Sequence, residues 1–224
     1  MSISVSPKTI EVLKNFLSIN KSIVLQPGNI ISTLSVNKNI MARCVVDEEF
    51  PEQAAIYDLS VFIGALNLCG NPILDFSNTR CLMISDSATK SKSKIYYSDP
   101  DMIVSPPDKD LDLTTTDVEF NLGTEELKRL QQAANTYGVQ DLCLYGADGK
   151  MNICVTDKKN DTSNVYSIEL GDTDSDFCYC FKMENLRLIS ETYKVSIHMG
   201  KVALFQARNG NLKYWIALEP NVNN

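Results

Sequence analysis

The residues of this chain that could do chemistry are mostly cations, and they fall on the faces of helical patterns. Residues 124–139, "TEELKRLQQAANTYGV", place Leu127, Leu130 and Ala134 at i, i+3 and i+7 on one face. The opposite face carries Lys128, Arg129, Gln132 and Asn135, with no acid after Glu126. Lys8, Lys14 and Lys21 gather around a second helical pattern, and Lys182, Arg187 and Lys194 around a third. Rows of ammonium and guanidinium groups suit a polyanion, because they meet phosphates by charge and read no base sequence. For any one helix an ordinary solvated face explains the same pattern. Three helices with this leaning, in a chain of net charge −7, shift the balance toward an anionic ligand.

Other chemistry is thin. Asp172, Asp174 and Asp176 stand two apart in "GDTDSD" and resemble the opening of a calcium loop. The glycine after the third Asp is missing, and Met183 stands where the bidentate Glu is needed, so the segment reads as a solvated turn. His198 is the chain's single histidine, near a strand end, and reads as structural or surface rather than catalytic. No phosphate-cradling glycine loop, nucleophile elbow or H-E-x-x-H zinc helix occurs. The seven cysteines, Cys44, Cys69, Cys81, Cys143, Cys154, Cys178 and Cys180, are odd in number, mostly within apolar runs and free of C-x-x-C spacing. They read as reduced core thiols, with Cys178 and Cys180 on one face of a strand. The reading is of a protein that is not an enzyme and needs no metal or cofactor.

The elements that must position these side chains alternate in kind. Helical patterns cover 7–19, 58–68, 124–137 and 183–190. Ser6 before Pro7, Asp58 and Thr124 are the expected caps. A strand leads into each helix, and short β-like runs follow it in an antiparallel meander, with "GADGK" and "NGN" as turns. This strand–helix–meander unit spans about 45 to 55 residues and occurs four times, a repeat of pattern rather than of sequence. "SDPDMIVSPPDKDLDLTTTD" (98–117), rich in Pro, Asp and Thr, reads as an interdomain linker. Two domains of two units follow, 1–107 and 108–224. Residues 1–110 hold 10 bases and 12 acids (net −2) and the remainder 11 and 16 (net −5), so both halves are mildly acidic. The N-terminus lacks the pattern of a signal peptide, and the longest apolar stretch, "VFIGALNLC", is too short to span a bilayer, so a soluble protein is expected.

Several stretches, in order and spacing, resemble the DNA polymerase sliding clamps of T-even-type bacteriophages: "VLKNFLSIN" (12–20), "AIYDLSVFIGALNL" (55–68), "YSIELGD" (166–172), "MENLRLISETYKV" (183–195) and "YWIALE" (214–219). The likeness runs over nearly the whole chain. It implies an α+β sliding-clamp fold with two similar domains, antiparallel sheets outside and helices inside a ring. It implies a homotrimer around duplex DNA that tethers the replicative polymerase, is loaded by an ATP-driven clamp loader and also meets transcription factors, in the host cytosol. The DNA-facing residues would be Lys8, Lys14, Lys21, Lys128, Arg129, Lys182, Arg187 and Lys194. Subunits would join through Lys94, Ile95, Tyr96 and Tyr97 of one copy and Val165, Tyr166, Ser167 and Ile168 of the next. Partner peptides, including the C-terminal tail of the polymerase, would dock near Leu34, Ile40, Trp215, Leu218 and Pro220. The alternatives are a monomeric ligand-binding α+β domain and a metal-dependent enzyme using Asp172, Asp174 and Asp176.

Overall fold

The computed structural model describes residues 1–220. The chain divides into two compact units, residues 1–110 and 111 onward. In order, the first unit contains β1 (Ser2–Ser4), α1 (Pro7–Ile19), β2 (Ile23–Leu25), β3 (Gly28–Leu34), β4 (Ile40–Phe50), β5 (Ala54–Ile56), α2 (Leu59–Asn67), β6 (Ile73–Asp75), β7 (Cys81–Ser85) and β8 (Lys92–Tyr96). The second contains β9 (Val118–Leu122), α3 (Thr124–Tyr137), β10 (Asp141–Ala147), β11 (Lys150–Thr156), β12 (Tyr166–Asp172), β13 (Phe177–Lys182), β14 (Tyr193–His198), β15 (Val202–Ala207) and β16 (Leu212–Ala217).

All pairings within each unit are antiparallel. In the first, the order β1-β6-β7-β8 makes one sheet, β3 pairs with β4, and β2 with β5. In the second, one sheet runs β12-β11-β10-β13, and β16, β15, β14 and β9 are neighbours in that order. Asp148 and Gly149, both at positive φ, close the two-residue turn between β10 and β11. The strand–helix–meander pattern is thus realised for three helices.

Each helix forms for local reasons and is held by one face. Ser6 caps α1 by accepting from the Thr9 N–H at 3.2 Å, with Pro7 in the first turn. Val12, Leu13, Phe16 and Ile19 are buried, and α1 packs on β3 and β4. Asp58 caps α2 through the Val61 N–H at 3.0 Å. α2 carries no charge and packs on α1 through a wider apolar face. On α3, Leu127, Leu130 and Ala134 are buried, and the helix packs on β11 and β12. It ends where Gly138 turns left-handed, at φ 66°.

Three expectations are corrected. Thr124 does not cap α3: Gly123 is the cap residue, without a side-chain bond, and Thr124 is already helical. The Glu126 carboxylate lies where a Cβ at 123 would go, but it is the far end of a flexible side chain and can turn aside, and φ at 123 is −79°, so neither contact nor backbone demands glycine there. The helix expected over 183–190 is not formed; only a 3-10 turn, Met183–Asn185, appears. The backbone beyond it bonds elsewhere. The Ile189 N–H donates to the Tyr214 hydroxyl at 3.2 Å, and the Ile189 carbonyl accepts from Tyr193 at 2.6 Å. Nor are all cysteines reduced: Cys143 and Cys180, directly opposed on β10 and β13 with Cα atoms 4.2 Å apart, form a disulfide. That pairing comes from strand register across 37 residues, which spacing along the chain does not reveal. The remaining five are free thiols.

One buried polar contact ties sheet to helix. Glu48 of β4, 8% exposed, accepts from the Ser6 N–H at 2.6 Å and from the Thr9 hydroxyl at 2.5 Å. Burial pushes its pKa up, but the bonds from Thr9 and Ser6 outweigh it and hold the carboxyl below the ordinary glutamate range. Its stabilisation is complete above the unfolded value of about 4.3 and is lost as pH falls through the lower folded value. Glu48→Gln is expected to destabilise the protein by about 1–3 kcal/mol at pH 7. In thermal melts the gap from native should close as pH drops below about 4.

Candidate nucleic-acid interface

The cations of α1 and α3 sit where a helix must put them once its apolar face is buried. Lys8 and Lys14 are exposed on α1, and Lys21 is exposed just beyond its end. On α3, Lys128, Arg129, Gln132 and Asn135 are all exposed, opposite the buried face. Lys128 meets Glu125 at 3.2 Å, an i,i+3 contact with both side chains in solvent. Such a pair is worth little in water, so Lys128 can exchange this partner for a phosphate.

The third basic group stands differently. Lys182, Arg187 and Lys194 do not sit around a helix. Lys182, on β13, is half-buried and pairs at 2.6 Å with Asp141, whose side chain is buried. The bond to Asp141, set against the cost of partial burial, holds its ammonium above the usual lysine range. Asp141 also accepts the Lys158 N–H at 3.1 Å. Lys182 therefore works inside the fold. Lys194, on β14, reaches Glu119 of β9 at 2.9 Å. Arg187 is exposed and donates its Nε–H to the Glu184 carbonyl at 2.9 Å.

β8 and β12 are edges of their sheets, with no strand on their outer side among the described residues. Lys94, Tyr96, Val165 and Ser167 are exposed, and Ile95, Tyr97, Tyr166 and Ile168 are half-buried. Tyr97 lies just past the end of β8 and Val165 just before β12. Of the residues expected to receive peptides, Ile40 and Trp215 are 3% and 2% exposed and offer no surface. They are core residues, because strand positions between two packed layers face inward. Leu34 and Leu218 are half-buried, and Pro220 is exposed.

Of the remaining groups, Asp172 and His198 have partners within the fold. Asp172 pairs with Lys150 at 2.8 Å, and Lys150 also meets Glu169 at 3.1 Å. Asp172, Asp174 and Asp176 are all exposed, and no three potential metal ligands converge among the described residues. His198 is buried, its Nε2 2.8 Å from the Ser196 hydroxyl and its Nδ1 2.8 Å from the Thr115 carbonyl. No helix among the described residues is long and apolar enough to cross a membrane.

Two features of the first unit escaped the sequence reading. A groove of about 770 Å³ is lined by Leu17, Asn20, Lys21, Tyr57, Met102 and Val104. A smaller cleft of about 290 Å³ lies between β3–β4 and residues 105–108, with Arg43 in its wall. The available signal was a lone arginine inside the apolar run "IMARCVV".

Comparison with known proteins shows the family of the chain. Residues 4–104 match the family described as DNA polymerase processivity factor, and residues 119–220 the family described as gp45 sliding clamp, C terminal. The sliding clamp of Vibrio phage KVP40 is 35% identical over 94% of this chain and 96% of its own length. Those of Escherichia phage RB69 and Enterobacteria phage T4 are 28% and 27% identical, each over 96% of both chains. Among solved structures, Proliferating Cellular Nuclear Antigen from Thermococcus kodakaraensis superposes with a TM-score of 0.72 at 13% identity, over 97% of this chain and 99% of that one. The protein of that name from Entamoeba histolytica gives 0.69 at 13% identity, over 94% of each. The chain belongs to the phage sliding-clamp family of DNA polymerase processivity factors, and its fold is the α+β sliding-clamp fold.

The two kinds of lysine should separate experimentally. Replacing Lys128 and Arg129 together by glutamate should change unfolding stability by no more than about 0.5 kcal/mol, since both are solvated. Lys182→Met should cost about 1–3 kcal/mol, because it leaves the buried Asp141 carboxylate without its cation. Urea denaturation of the variants at neutral pH measures both.

Proposed function

We propose that three copies of this chain close head to tail into a ring that encircles duplex DNA and slides along it. The observation that carries this reading is the one-sidedness of α1 and α3: their apolar faces lie on the sheets while Lys8, Lys14, Lys128 and Arg129 face solvent. Lys21 and Arg187 join that lining. Lys182 and Lys194, each facing a carboxylate of its own chain, contribute less. In such a ring phosphates meet cations across a gap that water and counterions fill. Binding is then sequence-independent and salt-sensitive, and retention comes from topology. The acidic remainder of the chain repels DNA from the outer surface.

Ring closure uses the free edges. An unpaired edge strand offers a row of N–H and C=O groups that needs a partner or a cover. β8 of one copy pairs with β12 of the next in this reading, a heterologous contact that closes after three steps. The ring tethers the replicative polymerase, whose C-terminal tail docks through exposed or half-buried apolar residues, Leu218 and Pro220 of the second unit or Leu34 of the first. An ATP-driven loader opens the ring, and transcription factors also bind it. The site of action is the host cytosol, and no cofactor or catalytic residue enters this reading.

Loaded protein should stay on closed circular DNA through moderate salt and leave once the circle is cut. Equal retention on circular and linear DNA with free ends would reject the ring. The Lys128→Glu/Arg129→Glu variant changes the charge by −4 per subunit, roughly −12 per ring, and should load poorly, worst at low salt where screening is weakest. Tyr166→Pro removes an amide donor from β12 and should yield folded monomers in analytical ultracentrifugation. Leu218→Asp should weaken binding of a polymerase-tail peptide without dissociating the trimer, by tenfold or about 1.4 kcal/mol.

A further inference from the structure

Four of the seven cysteines meet on one sheet of the second unit. Cys143 of β10 lies opposite Cys154 of β11 on one side and Cys180 of β13 on the other, and these three form a buried cluster against Tyr145. Cys143 and Cys180 are joined, while Cys154 is a free thiol, buried like them. Cys178, two residues before Cys180 and so on the same face of β13, is also free but exposed. Its Sγ lies 3.9 Å from the Cys180 Sγ, so a surface thiol adjoins a buried disulfide. The two free thiols differ in readiness. Burial pushes the Cys154 thiol up to about 11, which keeps it protonated and idle at neutral pH. Burial raises the Cys178 thiol as well, but the Lys158 ammonium works against it.

We propose that this cluster is a thiol–disulfide exchange site, at which Cys178 takes up a small thiol of the glutathione class and the Cys143–Cys180 bond is released. First the Cys178 thiolate, its proton lost to water, attacks the Cys180 Sγ. The Cys143–Cys180 bond breaks, its electron pair leaves with Cys143, which takes up a proton, and a Cys178–Cys180 bond forms. Two strand residues span roughly 6.6 Å between Cα atoms, close to the longest distance a disulfide bridges, so this bond is strained and short-lived. Then the small thiolate attacks the Cys178 Sγ, the sulfur that solvent reaches. Cys180 leaves and is protonated, and Cys178 holds the small thiol in a mixed disulfide. One disulfide is consumed and one is formed, so no outside oxidant is needed. Afterwards no covalent bond ties β13, the outermost strand of its sheet, to β10. β13 also supports the segment beyond β16, since the Glu219 N–H donates to the Cys180 carbonyl at 2.8 Å. Exchange therefore loosens the hold on residue 219 as well as on β13.

The probe is reduced glutathione, added in equal amount to the air-oxidised full chain under native conditions, with intact mass and peptide mapping as readouts. The native chain should gain one glutathione on Cys178 and show Cys143 and Cys180 as thiols. Cys178→Ser should lose the disulfide at least about tenfold more slowly, because the reagent must then reach a buried sulfur directly. Cys154→Ala should react at the native rate. In the modified chain, amide hydrogen exchange along β13 and at Glu219 should be faster than in the oxidised chain. Equal rates for the native chain and Cys178→Ser, an adduct on another cysteine in place of Cys178, no adduct, or Cys143 and Cys180 unlinked at the outset would overturn the proposal. Unchanged hydrogen exchange would overturn the loosening of β13 and residue 219. If Cys154→Ala fails to fold, the mapped adduct and Cys178→Ser decide.

Discussion

The rest of the structure depends on the burial of one helix face. α1 and α3 are each apolar along one stripe and cationic on the other side, and the sheets cover only the stripe. Fully burying a side chain such as Leu13 or Leu130 is worth roughly 1.5–3 kcal/mol, whereas a solvated lysine contributes almost nothing to folding. The packing energy therefore fixes which way each helix turns, and the cations follow. α2 shows the reverse case: without charge, it buries a broader face against α1 and has nothing to offer an anion.

Strand edges complement the helices. A sheet satisfies its inner backbone groups but leaves a row unpaired on each outer strand. β8 and β12 are such strands, one in each unit, and neither is shortened or interrupted by proline. β8 has five residues and β12 seven, with a register shift in the pairing of β12 to β11. The same backbone accounting explains the missing fourth helix. Between β13 and β14 the chain finds Tyr193 and Tyr214 as partners for Ile189, and the intrahelical bonds are not needed.

Buried polar groups occur where segments distant in sequence must be held together. Glu48 anchors the start of α1, Asp141 binds Lys182 across neighbouring strands, His198 ties β14 to Thr115, and Arg43 grips residues 107–110. Glu48, His198 and Arg43 act where a strand meets a helix start or the linker, and Asp141, besides its cross-strand bond, takes the Lys158 N–H from the loop after β11. Arg43 differs from the others in keeping one donor unfilled.

The sequence by itself determined the three well-formed helices, two of their caps, the position of most strands and the solvent-facing cations of α1 and α3. These are short-range properties: 3.6-residue and two-residue periodicity, and turn residues such as Asp148-Gly149, speak for themselves along the chain. The collinear likeness to phage clamps added what periodicity does not contain, the fold and the family. Tertiary structure decided the rest. "MENLRLIS" has helical spacing, yet two tyrosine hydroxyls compete for its backbone. Ile40 and Trp215 alternate like surface anchors but are enclosed, and Lys182 looks like a free cation but is bound to a buried carboxylate. The Cys143–Cys180 pairing and the cleft around Arg43 arise from strands and linker brought together over 37 and 67 residues of chain. A contact between segments so far apart leaves no periodic trace in either of them.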